Sequence, residues 1–396
     1  MTPSPKPIHQ ASQGELSNIA STRRNTIRRE KLLGSLSLLL LVLATLRLAT
    51  ACAGIARPEG WAGPTLAGDR LVASIGRGEM AAVDIEDSGG RVVWRFPLKG
   101  QKHPSGSKIL PVAIYSTPQV AAETVFFGAY DGWLYALDLA TGDIRWQAET
   151  GGPIVGSAVV QDGVVYVGSD DGKLYAFDAE TGSLRWLFKS GDSIWSIPLA
   201  ADGVIYVAPM DKKVYALDAA SGAEKWRFQA DGGLASTPVL ADGTLLVGGI
   251  DRRLYALDAA SGAEKWHFKA DNWFWTRPLV LGDSVYAGCL DGKVYALALN
   301  DGSPKWEKPF DTGAPVRAAP LLLDDVLLVA NRKGKLFGLD PETGQAIWGP
   351  TELLRTVLAD PLAQGDMAYV SVQGGKLFTV NKDGSTALLV LTELGG

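Results

Sequence analysis

The sequence has few of the residues that most often carry enzyme chemistry. Its 396 residues include only two cysteines, three histidines and four methionines. No metal-ligand spacing, phosphate-binding loop or nucleophile motif occurs in it. Neither His103 nor His267 has a catalytic partner that the sequence reveals. We therefore expect a protein that is not an enzyme and that has no metal site and no cofactor.

The two cysteines also exclude a disulfide framework. Cys52 closes an N-terminal leader, and once it is modified Cys289 has no partner for a disulfide or for a cysteine metal site. Cys289 ends a predicted strand, where a small buried residue is a more common role than a reactive thiol. We expect Cys289 to belong to the core.

One long apolar segment occurs, and it lies in the leader. Residues 1–31 are polar and hold six basic side chains, and residues 32–51 are apolar except for Arg47. A basic segment, an apolar segment and small residues before Cys52 are typical of a secretory signal and resemble a bacterial lipoprotein signal, in which this cysteine is lipidated. An uncleaved membrane anchor is the alternative, because the basic segment is long for a signal and Arg47 lies inside the apolar segment, where a charge is costly. Either interpretation attaches the protein to a membrane and places its domain outside the cytoplasm, in the periplasm or at the cell surface.

The leader differs from the remaining chain in charge. The first 52 residues hold seven of the 38 basic and two of the 43 acidic residues, so the remaining chain has a net charge of −10. Such an acidic chain argues against general nucleic-acid binding. We divide the chain into a leader at 1–52, a short linker at 53–60 and one domain at 61–396, which we expect to be a monomer.

A repeat of 40 residues organises this domain. Tyr175 is followed at this interval by Tyr215, Tyr255 and Tyr295, and a column of tryptophans keeps nearly the same spacing. No window shows the 3.6-residue apolar period of a helix, which excludes a helical solenoid. The tryptophan column comprises Trp94, Trp146, Trp186, Trp226, Trp266, Trp306 and Trp348. It fails near Leu388, in the last of eight copies.

Each copy has the pattern of four short strands. In the copy at residues 236–268, apolar or β-branched segments alternate with turns at Ala241–Gly243 and Ser261–Gly262. Glycine at such turns adopts positive φ without strain. Four-stranded sheets repeated at about 40 residues are typical of propeller blades. The sequence therefore predicts an all-β fold, an eight-bladed β-propeller of four-stranded antiparallel blades over residues 61–396.

The tryptophan ends a recurrent motif, Ala-x-Asp-x-x-Thr-Gly-x-x-x-Trp, seen in full at residues 176–186. The motif recurs, with Ser for Thr in two copies, at residues 136–146, 216–226 and 256–266. It resembles the tryptophan-docking motif of propellers of the pyrroloquinoline-quinone (PQQ) repeat family. The resemblance implies that each tryptophan docks its ring against the neighbouring blade. A large, flat apolar side chain suits such an interface.

The family includes quinoprotein dehydrogenases and also non-enzymatic members. Among the latter is the propeller lipoprotein of the outer-membrane β-barrel assembly machine, which is similar in length and has an eight-bladed ring. The dehydrogenases resemble one another in an adjacent-cysteine disulfide over the quinone, a Ca²⁺ site with a catalytic Asp and long insertions between blades. This chain has no adjacent cysteines, one long insertion, between Trp94 and Pro118, and no Asp that we can match to the catalytic one. A PQQ-dependent quinoprotein oxidoreductase is therefore the alternative rather than the expectation.

Five tryptophans lie outside the docking column, at Trp61, Trp133, Trp195, Trp273 and Trp275. One column, three residues before the first-strand proline in most copies, contains Trp61, Tyr115, Val155, Trp195, Ala235, Trp275, Arg317 and Leu358. Because the chain enters the innermost strand here, we expect this column to ring the mouth of the central channel. Its aromatic side chains either fill the channel or form a binding platform. The nearby Arg277 and Arg317 favour binding, because Arg with Trp is typical of interfaces.

A second column, two residues before the third-strand aromatic, is mostly basic. Six of its eight residues are Lys173, Lys213, Arg253, Lys293, Lys335 and Lys376. We expect them near the same face of the ring as the channel mouth. Either they form a basic binding face, or they recur because the whole turn recurs with the repeat.

The exceptions to the repeat thus cluster on one predicted face. We expect a non-catalytic binding or scaffold protein that uses the aromatic residues of this face together with Arg277 and Arg317. One expected partner is an envelope protein, in envelope assembly or ligand sensing, as the resemblance to the assembly lipoprotein implies. The other is a glycan or anionic polymer that stacks on the tryptophans and pairs with the basic side chains.

Overall fold

The computed structural model describes residues 60–76, 78–86, 89–98 and 100–392. The predicted leader at 1–52, with Cys52, and the linker up to residue 59 lie outside these residues. The described part belongs to one compact unit, Pro58–Gly396. It contains 33 strands and no helix, and accordingly no helix long and apolar enough to cross a membrane occurs in it.

The strands form eight sheets that follow one another along the chain, and each sheet is one blade. Blades 1 to 4 comprise β1 (Thr65–Ala67), β2 (Arg70–Ile75), β3 (Glu79–Glu86), β4 (Gly89–Phe96); β5 (Gln119–Ala121), β6 (Thr124–Gly128), β7 (Trp133–Asp138), β8 (Ile144–Glu149); β9 (Val159–Gln161), β10 (Val164–Gly168), β11 (Lys173–Asp178), β12 (Leu184–Lys189); and β13 (Leu199–Ala201), β14 (Val204–Val207), β15 (Lys213–Asp218), β16 (Glu224–Gln229). The predicted eight-bladed all-β propeller is confirmed.

Blades 5 to 8 repeat the same order, with the first strand innermost and the fourth at the rim. They comprise β17 (Val239–Ala241), β18 (Thr244–Gly248), β19 (Arg253–Asp258), β20 (Glu264–Lys269); β21 (Leu279–Leu281), β22 (Ser284–Gly288), β23 (Lys293–Ala298), β24 (Phe310–Asp311); β25 (Leu321–Leu323), β26 (Val326–Ala330), β27 (Lys335–Leu339), β28 (Ala346–Glu352); and β29 (Leu362–Gln364), β30 (Met367–Val372), β31 (Lys376–Asn381), β32 (Thr386–Leu388). A last short strand, β33, is Leu391–Thr392.

The repeat tryptophans join each blade to the next through one hydrogen bond. In all seven, the indole Nε1–H donates to a backbone carbonyl of the following blade, at 2.6 to 3.0 Å. The pairs are Trp94 with Leu139, Trp146 with Ala179, Trp186 with Ala219, Trp226 with Ala259, Trp266 with Leu299, Trp306 with Pro341 and Trp348 with Lys382. The docking implied by the resemblance is therefore present at every junction from blade 1 to blade 8.

The glycine of the motif lies beneath the docked ring. The seven receiving glycines have φ between 71° and 82°, and a Cβ on any of them would lie 2.5 to 2.7 Å from the indole. They are Gly142, Gly182, Gly222, Gly262, Gly302, Gly344 and Gly384. In blade 3 the turn is held by Asp178, whose Oδ1 accepts the N–H and the hydroxyl of Thr181 at 2.9 and 2.8 Å. The motif is thus a turn whose glycine receives the previous blade's tryptophan.

The docking tryptophans differ in how deeply they are buried. Trp94, Trp146, Trp266 and Trp306 are buried, with 5 to 9 % of their surface exposed. Trp186, Trp226 and Trp348 are half-buried. Six of the seven lie on the fourth strand of their blade, and Trp306 lies just before it. One edge of the indole therefore faces solvent wherever no other segment covers the rim of the propeller.

The core lies between blades rather than within one sheet. One cluster joins Leu174 of blade 3 to Ile205 and Tyr215 of blade 4, and the other junctions repeat this arrangement. The junction of blade 8 with blade 1 has no tryptophan and is filled instead by Leu71, Val83, Tyr369, Leu377 and their apolar neighbours. Since each sheet buries its faces only against its neighbours, the ring is a closed array of similar interfaces.

The C-terminal segment closes the ring in a way that the sequence did not reveal. The sequence pattern of the last copy predicts that residues 385–392 form the fourth strand of blade 8. Instead β32 pairs with β31 in blade 8, and β33 continues to blade 1, where it pairs in parallel with β4. The N–H of Gly90 donates to the carbonyl of Val390 at 2.9 Å. Blade 1 therefore has five strands, the outermost from the end of the chain.

Candidate functional site

The column of residues before the first strands meets at the centre of the ring. All eight of its members line one recess, together with Arg277, Asp360 and several small polar side chains. The eight are Trp61, Tyr115, Val155, Trp195, Ala235, Trp275, Arg317 and Leu358. The empty space of this recess, including the part open to solvent, is about 670 Å³. The side chains therefore narrow the channel without filling it.

Alternation along the chain turns these side chains inward. On one side of Trp195, Ile194 is fully buried and packs on Gly168, where a Cβ would collide with it. On the other side, the buried hydroxyl of Ser196 donates to the carbonyl of Ala208 at 2.9 Å. Because successive residues of an extended chain point in opposite directions, Trp195 faces the recess.

Arg317 lies between two tryptophans of the recess. Its Cζ is 5.0 Å from the ring centroid of Trp61 and 4.6 Å from that of Trp275. Cation–π contacts of this kind contribute about 0.5–2 kcal/mol each, depending on how far they are desolvated. Burial, followed by the positive charge of Arg332, lowers the pKa of Arg317 to about 10, so the guanidinium remains charged at neutral pH.

No carboxylate neutralises Arg317 within the described part of the chain. Neither a hydrogen bond nor an ion pair joins it to any of these residues; its partners there are aromatic rings. Arg277 differs, since its Nε donates to Asp360 Oδ2 at 3.0 Å. Asp360 Oδ1 also accepts the N–H of Ala319 at 2.6 Å. Of the three charged residues that line the recess, Arg277 and Asp360 neutralise each other, and Arg317 has no partner of opposite charge among the described residues.

The remaining aromatic side chains extend the surface outward. Trp195 and Trp275 have ring centroids 6.4 Å apart, and the indole N–H of Trp195 donates to Asp170 Oδ1 at 2.8 Å. On the other side of Arg317, the rings of Trp61 and Tyr115 are 4.1 Å apart. Tyr115 in turn contacts Tyr130 edge to face at 5.5 Å, and Tyr130 is 37 % exposed. A chain of aromatic rings thus leads from the recess to the surface.

Two predicted site residues do not line the recess. Trp133 lies at the start of β7, where its ring stacks on His103 of the inserted loop at 4.5 Å. His103 Nδ1 is 3.2 Å from Gln147 Oε1, which places this histidine in the packing of the loop. Trp273 is half-buried, and its carbonyl accepts the N–H of Leu290 at 2.9 Å. Trp133 and Trp273 therefore pack on other parts of the surface, outside the recess.

The basic column does not form a free basic face. Five of its six members are paired with a carboxylate near their own turn. The pairs are Lys173 with Asp171, Lys213 with Asp211, Arg253 with Asp231, Lys293 with Asp271 and Lys335 with Glu352. The turn carboxylates also accept the hydroxyls of the third-strand tyrosines, as Asp171 Oδ2 does from Tyr175 at 2.6 Å. These basic side chains therefore belong to local ion pairs of the blades.

Several residues of the recess escaped the sequence analysis. Asp360 occupies the same column as Arg277, one residue before the first-strand proline, where other copies have uncharged residues. The opposite charges of Arg277 and Asp360 in one column of the repeat could have predicted their ion pair from the sequence. Tyr130 and Asp170 follow the second strand of their blades, and only the fold brings them to the rings of Tyr115 and Trp195.

The described residues offer no cluster of metal-ligating side chains and no reactive thiol. They contain no group of three or more His, Cys, Asp or Glu side chains that could hold a metal ion. Cys289 is fully buried, and burial raises its pKa to about 12, which removes the thiolate that a reactive cysteine needs. Its Sγ–H donates to the carbonyl of Asn272 at 3.3 Å.

The ring of eight blades, the docked tryptophans and their glycines define a PQQ-like repeat β-propeller. Comparison with protein-family models agrees with this fold and also identifies the family. The chain belongs to the family described as outer membrane protein assembly factor BamB, whose profile matches residues 48–159, 131–238 and 230–388. Searches of curated protein sequences gave no significant match.

Solved structures share the fold at low sequence identity. BamB from Moraxella catarrhalis is 19 % identical, with a TM-score of 0.67, over 80 % of this chain and 95 % of that one. The computationally designed protein Ika8 is 15 % identical, with a TM-score of 0.69, over 82 % of this chain and 96 % of that one. At such identities the likeness shows the architecture alone.

Proposed function

We propose that this protein is a non-catalytic scaffold of outer-membrane protein assembly, which works outside the cytoplasm and binds a protein partner through the central recess. The observation that carries the proposal is the charged Arg317 held between Trp61 and Trp275 without a carboxylate. The family description supplies the process. The repeat itself needs none of these side chains, since other copies have Val155 or Ala235 in the same column.

The loose packing of the recess favours a binding role for its aromatic side chains over a role in filling the channel. Side chains that served only to close the channel would pack at the density of a protein interior. Here Trp61, Trp195 and Trp275 are half-buried around an open recess. Tryptophan and arginine are also the residues that most often dominate binding energy at interfaces. The recess is accordingly the best candidate for the partner site.

The proposal includes attachment to a membrane by the leader. A lipid on Cys52 is the form that we favour, and an uncleaved anchor at residues 32–51 is the alternative. Both leave the domain on the side of the membrane where outer-membrane proteins are assembled. A single acyl chain binds membranes only weakly, so a lipidated form needs further acyl chains or a bound partner.

We also propose that the protein does not carry out PQQ chemistry. The residues present do not fit the quinone, because the sequence has no adjacent cysteines and Cys289 is buried as a thiol. Adding PQQ and Ca²⁺ to the purified protein should therefore give no bound quinone spectrum and no dye-linked alcohol oxidation. A bound quinone with turnover would replace the scaffold proposal by the oxidoreductase.

The decisive experiment for the scaffold is affinity capture from envelope extract with wild type and a Trp195→Ala/Trp275→Ala double variant. We expect the variant to lose one or more partners, because truncation of central aromatic residues commonly costs about 2 kcal/mol or more per residue. The matched control is Leu184→Ala/Leu187→Ala, which removes two side chains exposed on the rim of blade 3.

Identical partner sets from wild type and the double variant would mean that the aromatic residues only fill the channel. Loss of a glycan or anionic polymer, with all proteins retained, would instead support the glycan-binding function. Thermal unfolding of each variant distinguishes lost binding from lost folding.

A further inference from the structure

The uncompensated charge of Arg317 specifies the chemistry of the group that binds in the recess. We infer that the recess receives a carboxylate side chain carried by a segment of the protein partner, with Arg317 as its anion-binding residue and Trp61 and Trp275 as its walls. This inference rests on the proposed function and deepens it by naming what the partner must present.

The balance of charge around the recess favours an anionic ligand. Arg277 and Asp360 form an ion pair, so Arg317 gives the lining a charge of +1. Arg332 lies close enough to act on Arg317 electrostatically and is paired with no carboxylate of the described residues. The chain beyond residue 52 has a net charge of −10, so a cationic site at its centre runs against the overall charge. A half-desolvated cation of this kind favours an anionic ligand.

The guanidinium of Arg317 is suited to a carboxylate. Its five N–H groups match the two oxygens of a carboxylate in a planar, bidentate arrangement. None of them donates to another residue in the described part of the chain, while rings lie on it from two sides. The recess thus holds donors that a ligand has yet to satisfy.

The aromatic surface next to Arg317 favours a protein segment over a free anion as the ligand. From Arg317 the aromatic surface continues through Trp61 and Tyr115 to the partly exposed Tyr130. A small anion would contact only the guanidinium and its flanking rings. A surface that runs from the buried cation to the exposed face suits an acidic residue followed by apolar residues of one chain.

The test is site-specific photo-crosslinking in cells, with the full-length protein. A photoreactive phenylalanine derivative replaces Ala235, a small member of the recess lining, and a second strain carries it at Leu187 on the rim as a control. We expect position 235 to capture a protein whose cross-linked peptide has Asp or Glu within a few residues of the attachment point. Position 187 should give a different set or none.

Charge substitution then tests Arg317 itself. Arg317→Gln should lower the cross-link yield at position 235 by about tenfold or more, since a charge-assisted hydrogen bond contributes more than 1.4 kcal/mol. Arg317→Lys should retain only part of the yield, because an ammonium keeps the charge but not the bidentate fork. Arg227→Gln, on the rim of blade 4, should leave the yield unchanged. Arg317→Glu combined with the partner's identified acidic residue changed to Arg should restore it.

Peptides without a carboxylate near the attachment point, or a yield unaffected by Arg317→Gln, would overturn this inference. The scaffold proposal would survive that outcome if the Trp195→Ala/Trp275→Ala variant still lost its partner. Capture of no protein at position 235, together with unchanged partners of the double variant, would overturn both. If Arg317→Gln fails to fold by thermal unfolding, the Arg317→Glu charge exchange with the partner decides.

Discussion

At the scale of single residues, the repeat is held by pairs of one tryptophan and one glycine in consecutive blades. The pair has two parts, an indole hydrogen bond to a backbone carbonyl and a ring packed on a Cα that bears no side chain. In blade 4, Gly222 lies 2.6 Å, measured from a Cβ built on it, from the ring of Trp186. The motif's Thr-Gly is therefore as much part of the docking as its Trp. This explains why the two recur together.

A matched pair of glycines in blade 4 tests this view. Gly222 and Gly203 have the same φ of 72°, but a Cβ on Gly203 would meet nothing within 4 Å. Gly203→Ala should cost about 1–2 kcal/mol, the strain of a left-handed alanine. Gly222→Ala should cost about 1–3 kcal/mol more, because the methyl group displaces the indole. Urea unfolding at neutral pH measures both free energies of unfolding. Equal losses would show that the ring tolerates a Cβ and that the glycine serves only the turn.

At the scale of elements, the ring is closed by a strand that belongs to no repeat. β33 lies parallel to β4, whereas the strands within each blade are antiparallel. Leu389 and Leu391 pack against the buried residues of the junction between blades 8 and 1, and Val390 between them is 56 % exposed. Closure therefore combines an added strand with an apolar cluster where the other junctions have a tryptophan.

Substitutions in this segment should separate the apolar contact from the strand pairing. Leu391→Asp should destabilise the protein by about 1–3 kcal/mol, because it places an unpaired charge against an apolar junction. Val390→Asp adds the same charge on the exposed side and should stay within about 0.5 kcal/mol of wild type. Differential scanning calorimetry of the two variants provides the comparison. Equal melting temperatures would indicate that β33 contributes little to closure.

At the scale of the whole molecule, the ring combines regular junctions with an irregular centre. Seven of the eight junctions repeat the same tryptophan docking, so a residue in the central column is free to vary without affecting the docking between blades. That freedom is used at the central recess, where Trp195, Trp275, Arg317, Trp61 and Tyr115 replace smaller residues. Functional residues in such a ring are those that depart from the repeat, and structural residues are those that keep it.

The attachment of the whole molecule to a membrane can be tested directly on Cys52. Wild-type protein grown with radioactive palmitate should incorporate the label and lose residues 1–51, whereas Cys52→Ser should do neither. Label incorporation and the intact mass of the purified chain are the two measurements. A wild-type protein that stays in the membrane fraction unlabelled, with its full leader, would favour the uncleaved anchor.

The sequence by itself determined the blades, their number and the two columns that matter. Each depends on a period of 40 residues, and a period is local information that survives without knowledge of the ring. The docking of Trp186 can be predicted because Gly222, which receives its ring, lies in the next copy at a fixed separation. The inward direction of Trp195 follows likewise from alternation along an extended chain.

Only the tertiary structure decided the contacts across the ring. The ion pair of Arg277 and Asp360 joins residues 83 apart, and Thr392 reaches Gly90 across 302 residues. Nothing in the period fixes which members of a column meet over the channel, because that depends on ring closure and on side-chain size. For the same reason the charge of Arg317 could be read from the sequence, but its lack of a partner could not.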